Sequence, residues 1–457
     1  MYDKQYLIAR SAQRIPSAYE VVRVGPWVVG CARDLERIEV VLPDARKLLL
    51  VGHPIDISGS LEQLRTSGAL AALDDLAGTF IALIESAEGV ELRLDASGSL
   101  PAVYAPEHGI VAANPALIRE CAEDAELVDA YSIHANAFFP FDLTPKRGVL
   151  RLLPNHRLTL SNMRCERIWP KTLSEGKHPP DENVAFVAER LKQTFAALSA
   201  RGPLSLPLTG GYDSRALLAC AAPVDRERIT AFTSLIDQDA VADAAVAAKL
   251  AAMSGMSHRP VTYLEPTAAE RRAWLDSTGH CLGGRASYNF KTVASQTAGK
   301  IICMGLAGEV GRTFYSRRER RAAKPTAELL LHKLRLPRHS RGLEAGERWL
   351  SELRGLDLLQ VLDLLYMEVR LGGWAGPQMI ADGPCSYRIA PFNQRAIFER
   401  ALDIPFDLRR RDYTPAAIVS RERPELAHIP YNAAARSLRK RLTGLRERAR
   451  SFLGLGA

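Results

Sequence analysis

Cysteine is scarce and poorly placed for chemistry: seven residues, at positions 31, 121, 165, 220, 281, 303 and 385, never spaced as C-x-x-C. Neither a disulfide framework nor a structural zinc site is expected, and a reducing cytoplasm fits. No apolar run reaches the roughly 18 residues needed to cross a bilayer, and the start lacks a basic stretch leading into an apolar core. The histidines, His53, His156, His258 and His280 among them, are never paired as H-x-H or H-E-x-x-H, and no G-x-S-x-G elbow occurs. Zinc-enzyme and serine-hydrolase readings therefore fall away. The net charge of +8 is also misleading, because residues 431–457 hold seven basic side chains and one acid and the remainder is nearly neutral. A neutral body with a basic appendage is not a phosphate-tracking surface, so nucleic acid is not an expected partner.

What is present is an ordinary globular composition, 47% hydrophobic and 25% charged over 457 residues, a length that favours two domains. From Tyr19 to Tyr104 short β-branched runs (Val21–Val24, Trp27–Val29, Val40–Leu42, Leu48–Val51, Phe80–Ile84, Val90–Leu94) alternate with Gly, Pro and Asp punctuation, as in antiparallel sheets. One helix, Leu61–Leu73, interrupts them. Residues 171–181 read as a linker. Helices and strands then alternate: a helix over Glu182–Leu198, a strand Leu204–Leu208, a helix Ser214–Ala222, a strand Ile229–Ser234 and an alanine-rich helix Ala240–Met253. That alternation predicts a parallel α/β sheet.

The most informative stretch is Leu206-Pro207-Leu208-Thr209-Gly210-Gly211-Tyr212-Asp213-Ser214, an apolar strand running through a Gly-Gly turn into a helix. Glycines there let backbone N–H groups approach an anion, and the helix N-terminus favours negative charge. No lysine follows as in a Walker loop, and G-x-G-x-x-G is absent. The plain alternative is a turn in which the glycines serve geometry alone and Thr209 or Asp213 caps the helix.

Thr209–Ser214 resembles the S-G-G-x-D-S pyrophosphate loop of the ATP pyrophosphatases, and the order of further segments resembles asparagine synthetase-like proteins. Ala231-Phe232-Thr233-Ser234 is similar to their adenine-side strand, with Asp243 near an acidic position on the next helix. Met304-Gly305-Leu306-Ala307-Gly308-Glu309 is similar to their second glycine-acid loop, and Arg388–Asn393 to their R-V-P-F-L-D. Leu76–Phe80, Leu94–Tyr104 and Leu153-Pro154-Asn155-His156 resemble segments of their glutaminase domain. The resemblance implies a glutaminase-type (Ntn hydrolase-like) αββα sandwich over residues 1–170, a linker at 171–181 and an ATP-pyrophosphatase α/β domain over 182–430. Residues 431–457 read as a basic amphipathic helix.

The resemblance also implies ATP and Mg²⁺. Leu208, Thr209, Gly210, Gly211, Asp213, Ser214, Thr233 and Gly305 would line the nucleotide, while Asp213 and Glu309 would coordinate magnesium, a hard cation suited to carboxylate oxygens. The implied reaction adenylates a carboxylate, and an amine then attacks to give an amide, AMP and pyrophosphate.

Three departures qualify this. Glutamine-dependent relatives carry a nucleophilic cysteine at the second position, whereas this chain has Tyr2, so no glutaminase activity is expected. Leu306 stands where relatives have a Glu or Tyr base. The region of their catalytic lysine reads Leu408-Arg409-Arg410-Arg411-Asp412; Arg411 could steady charge on pyrophosphate but cannot act as a base. Glu368, in Tyr366–Trp374, is the substitute candidate base, with a helix-internal ion pair to Arg370 as the alternative.

A basic cluster at Arg312, Arg317, Arg318, Arg320, Arg321 and Lys324 either closes over ATP or grips an acidic substrate, or is a solvated loop. The tail either packs on its own domain or touches an anionic membrane or acidic partner. The leading expectation is an ATP-dependent amide-forming ligase acting on a small-molecule or peptide carboxylate and an amine. An ammonia-using amidotransferase and a non-catalytic nucleotide-binding scaffold are the alternatives.

Overall fold

The computed structural model describes residues 3–132, 138–221, 224–295, 299–381 and 386–431. Tyr2 and nearly all of the basic tail lie outside them.

Between Tyr6 and Arg167 the alternating runs build two six-stranded sheets, antiparallel at every pairing. Their facing sides share one core, with Tyr6, Ile8, Trp27 and Val29 of one sheet against Leu49, Val51, Ile81 and Leu83 of the other. Alternation along each strand sends the neighbouring residues to the outer faces. Leu48, Leu50, Phe80 and Ala82 pack outward with Leu64 and Leu73.

The expected helix Leu61–Leu73 is two pieces, an α-helix Ser60–Ser67 and a 3₁₀ segment Leu70–Asp75. Gly68, at φ 65°, breaks it, its N–H closing on the Leu64 carbonyl, which is the left-handed ending glycine favours. On the other outer face, Leu7, Val28 and Val103 pack with Ile15, Tyr19 and Leu117, residues of loops and 3₁₀ turns. The expected helical cover is therefore thin.

The helix after the linker runs Pro180–Arg201, two residues earlier than the apolar pattern predicts, because proline is well suited to a first helical turn. Its buried side chains, Val184, Val187, Ala188, Leu191, Phe195 and Leu198, recur at three- and four-residue steps. They pack in the same cluster as Ile55 and Ala77 of the antiparallel half, so one core joins the two sheet systems.

The third sheet is parallel, ordered Ser257–Thr262, Ile229–Leu235, Leu204–Pro207, Lys300–Cys303, Ser386–Ile389. The chain starts at the centre, builds outward in one direction, then returns to build in the other. Strand order therefore reverses between Leu204–Pro207 and Lys300–Cys303, and in such sheets the crevice beyond the carboxyl ends at the reversal is where ligands bind. Among the described residues no helix is long and apolar enough to cross a membrane.

Candidate active site

The Gly-Gly turn leaves the central strand at that reversal, and the Gly305–Glu309 loop leaves its neighbour. Gly305 lies 3.6 Å from the Asp213 Cβ and from the Ser214 nitrogen, measured from where its own Cβ would stand. Two glycine loops far apart in sequence thus face each other because the topology ends their strands side by side.

The first loop is held largely by its own side chains. The Ser214 hydroxyl accepts from the Thr209 N–H (3.2 Å) and lies 3.0 Å from the Thr209 Oγ1, which accepts from the Gly211 N–H at 3.1 Å. The helix Tyr212–Cys220 begins with no side-chain cap, Gly211 standing at the capping position, so neither Thr209 nor Asp213 caps it. Leu208 is committed to the fold: its N–H reaches Phe232 O at 2.8 Å, and its carbonyl accepts from the Thr233 hydroxyl at 2.6 Å. Since Thr233 donates there, its 2.9 Å contact with His258 Nε2 requires the imidazole proton on that nitrogen. Beside these strand ends opens a cleft of about 450 Å³ lined by Phe232, Thr233, Ser234, Asp243 and Met304.

Asp213 is the electrostatic centre. Its side chain is 13% exposed, and Oδ2 accepts from Arg312 Nη1 at 2.5 Å, while Oδ1 is sealed from solvent with no hydrogen-bond partner. Burial and the like charge of Glu309 push its carboxyl up, to about 7, against the pull of Arg312. Glu309 accepts from the Tyr366 hydroxyl at 2.5 Å; burial and Glu309 hold that phenol well above 10, so it stays protonated and orients the carboxylate. A buried carboxylate oxygen without a donor fits a cation. Among the described residues no three His, Cys, Asp or Glu side chains gather as a cage, and magnesium commonly takes one or two carboxylates and completes its shell with phosphate and water.

Arg312 also donates from Nε to Asp412 at 2.9 Å, and Arg317 pairs with the same carboxylate. Of the basic cluster, Arg312 and Arg317 thus turn to the site, whereas Arg321 pairs with Glu175 and Asp357. Asp412, at φ 61°, gives no sequence signal beyond adjacency to the arginine run. Arg411 itself is exposed, and its described contact is a backbone turn to Leu408.

Glu368 is fully buried and faces away from Glu309, two residues along the helix from Tyr366. It accepts from Asn155 Nδ2 (2.6 Å), Trp349 Nε1 (2.7 Å) and both Nη atoms of Arg167 (2.5 and 2.9 Å). Four donors on one carboxylate make it an anchor between the two halves rather than a base. Asn155 stands at φ 70°, a backbone region that asparagine tolerates.

The loop's rear wall is Arg215, whose buried guanidinium donates to the carbonyls of Gly210, Leu426, Ile429 and Pro430 at 2.5–3.2 Å. Tyr431 stacks on Tyr212 at 3.9 Å and 8°, with Arg215 beneath it at 3.7 Å.

Gly308 tests how tight the site is. A Cβ there would stand 2.9 Å from Asp213 Oδ1 and 3.0 Å from its Cγ, so Gly308→Ala is expected to displace the carboxylate and weaken binding of a magnesium nucleotide by about tenfold or more. Titration calorimetry against the wild type checks this; unchanged affinity would mean the acid can move without cost.

Residues 187–368 match the asparagine synthase family model. No curated protein matches. Among solved structures, the glutamine phosphoribosylpyrophosphate amidotransferase from B. subtilis, complexed with ADP and GMP, matches at 12% identity over 76% of this chain and 87% of that one, with a TM-score of 0.21.

Proposed function

We propose, starting from a chain that belongs through residues 187–368 to an asparagine synthetase-like family, that the protein is an ATP-dependent ligase. It joins a carboxylate to an amine, releasing AMP and pyrophosphate, without hydrolysing glutamine. The observation that carries this reading is the convergence of two glycine loops on one buried, unpartnered carboxylate oxygen at the reversal of a parallel sheet.

In this reading Gly210 offers its backbone N–H to pyrophosphate, the Gly211 N–H being held by Thr209, and the uncapped helix behind them adds its dipole. Asp213 and Glu309 would hold magnesium, which would neutralise phosphate charge when bound. Tyr366 fixes the direction of Glu309. Arg312, held between Asp213 Oδ2 and Asp412, is the cation beside this pair that would meet phosphate oxygens, leaving Asp213 Oδ1 for the metal. Leu306 accepts no proton, so the proton of the attacking amine passes to another group or to water. The nitrogen donor in this reading is an amine or ammonia.

The test is carboxylate-dependent exchange of labelled pyrophosphate into ATP across a panel of carboxylates, followed by amide formation with ammonium or primary amines. Exchange that vanishes in Asp213→Ala is the expected result. A wild-type protein that neither exchanges nor binds a magnesium nucleotide would sink the reading and leave a scaffold.

A further inference from the structure

A guanidinium makes its hydrogen bonds in its own plane and leaves two weakly hydrated faces for stacking. Arg312 uses both. In the plane, Nε donates to Asp412 Oδ1 at 2.9 Å and Nη1 to Asp213 Oδ2 at 2.5 Å, while Nη2 has no partner among the described residues. The side chain is 20% exposed, so this third nitrogen belongs to a cation still open to solvent. Against the face stands Tyr212, its ring centroid 4.8 Å from the guanidinium carbon.

Tyr212 is itself backed. Tyr431 stacks on it at 3.9 Å and 8°, and the Arg215 guanidinium lies over Tyr431 at 3.7 Å. Arg215 in turn donates to the Gly210 carbonyl at 3.1 Å. The contacts therefore run from Arg312 through Tyr212, Tyr431 and Arg215 back to the Gly-Gly turn. At each end of this stack a cation meets a ring face, the side of an aromatic that attracts positive charge.

The stack does something the two acids do not. Bonds to Asp213 and Asp412 leave the guanidinium plane free to swing about the line through their acceptors, and Nη2, off that line, moves with the swing. A ring packed against the face stops it. The Tyr212 contacts use the ring and not the hydroxyl. The same stack grips the turn that presents the Gly210 N–H, so a side-chain donor and a backbone donor are set against each other by one assembly.

We propose that Tyr212, backed by Tyr431, is a positioning residue that holds Arg312 so that Nη2 and the Gly210 N–H together grip a diphosphate. A charged planar donor beside a backbone N–H suits the oxygens of one phosphoryl group. This rests on the ligase reading for the identity of the anion, though not for the hold of the stack on Arg312.

Magnesium pyrophosphate is titrated by calorimetry into the full chain and its variants. The wild type should bind, Tyr212→Phe should bind like it, and Tyr212→Leu should bind about tenfold more weakly, the scale of a desolvated cation–ring contact. Tyr431→Leu, at a residue with no described contact to Arg312, should lose about threefold, and nothing further when combined with Tyr212→Leu. Arg312→Gln should lose about tenfold or more, and adding Tyr212→Leu to it should cost nothing more, read at proportionally higher ligand. A ring that merely shapes the Gly-Gly turn would weaken binding in the Arg312→Gln background too, and that result would overturn the proposal. The same background test with Tyr431→Leu decides the matter if Tyr212→Leu does not fold. A wild type that does not bind pyrophosphate, a Tyr212→Leu protein that binds it fully, or a Tyr212→Phe protein as weak as Tyr212→Leu would also overturn it. Pyrophosphate binding with the expected dependences, but no carboxylate-dependent exchange into ATP, would leave the stack standing and remove the ligase reading. Exchange that persists undiminished in Tyr212→Leu would do the reverse.

Discussion

Asp213→Asn is expected to cost the protein its magnesium nucleotide while leaving it at least as stable as the wild type. The two effects have one cause. A carboxyl raised by burial and by Glu309 destabilises the folded state at every pH above its ordinary value of about 3.8, fully so once the pH passes its folded value. Asparagine keeps the shape and removes that charge, and Arg312 retains Asp412. The melting temperature of Asp213→Asn should therefore match or exceed that of the wild type, with a larger margin at pH 8 than at pH 5. Nucleotide affinity should fall by about 100-fold or more, since even groups that merely support a metal ligand are worth 10–100-fold. A variant that binds as well as the wild type would show that the buried oxygen is not a ligand. One that melts well below it would show that the Arg312 pair outweighs the burial cost.

The opposite pattern is expected at Glu368. Truncation to alanine removes the acceptor of the Arg167 Nη2, the Trp349 indole N–H and the Asn155 amide, leaving Arg167 only Glu352 and the Trp169 carbonyl, and breaking a buried pair in this way costs about 3–5 kcal/mol. Urea denaturation measures the loss, which should appear in both halves of the chain because Asn155 and Arg167 belong to one and Glu368 to the other. Glu368→Gln separates an anchor from a base. An anchor predicts reduced stability with nucleotide affinity preserved, whereas full stability with lost turnover would restore the carboxylate to the chemistry.

These two acids mark what sequence can and cannot reveal. The place of Asp213 at the end of the central strand is legible because it follows an apolar strand and two glycines, a local arrangement that sets a strand-to-helix turn. The helix Pro180–Arg201 is legible for a similar reason, its apolar positions repeating with the helical turn. Glu368 reads as a base in the sequence because a carboxylate near a tyrosine and an arginine looks reactive until its partners are known. Those partners, Asn155, Arg167 and Trp349, come from distant segments. Asp412 and the Arg215–Tyr431 stack escape a sequence reading for the same reason. The helix Leu61–Leu73 is over-extended because periodicity outweighs Gly68, the residue that ends it.

The clasp of Arg215 on the carbonyls of Leu426, Ile429 and Pro430 sets an order of assembly. During synthesis the Gly-Gly loop leaves the ribosome long before these acceptors, Leu426 following Arg215 by 211 residues. Until they arrive the guanidinium has no buried acceptors beyond Gly210, and leaving it dry and unpaired is costly. The loop is thus made early and finished late. A nascent chain stalled before Leu426 can fold its antiparallel sheets, since domains fold as they emerge, but its Gly-Gly loop lacks the wall that Arg215 closes.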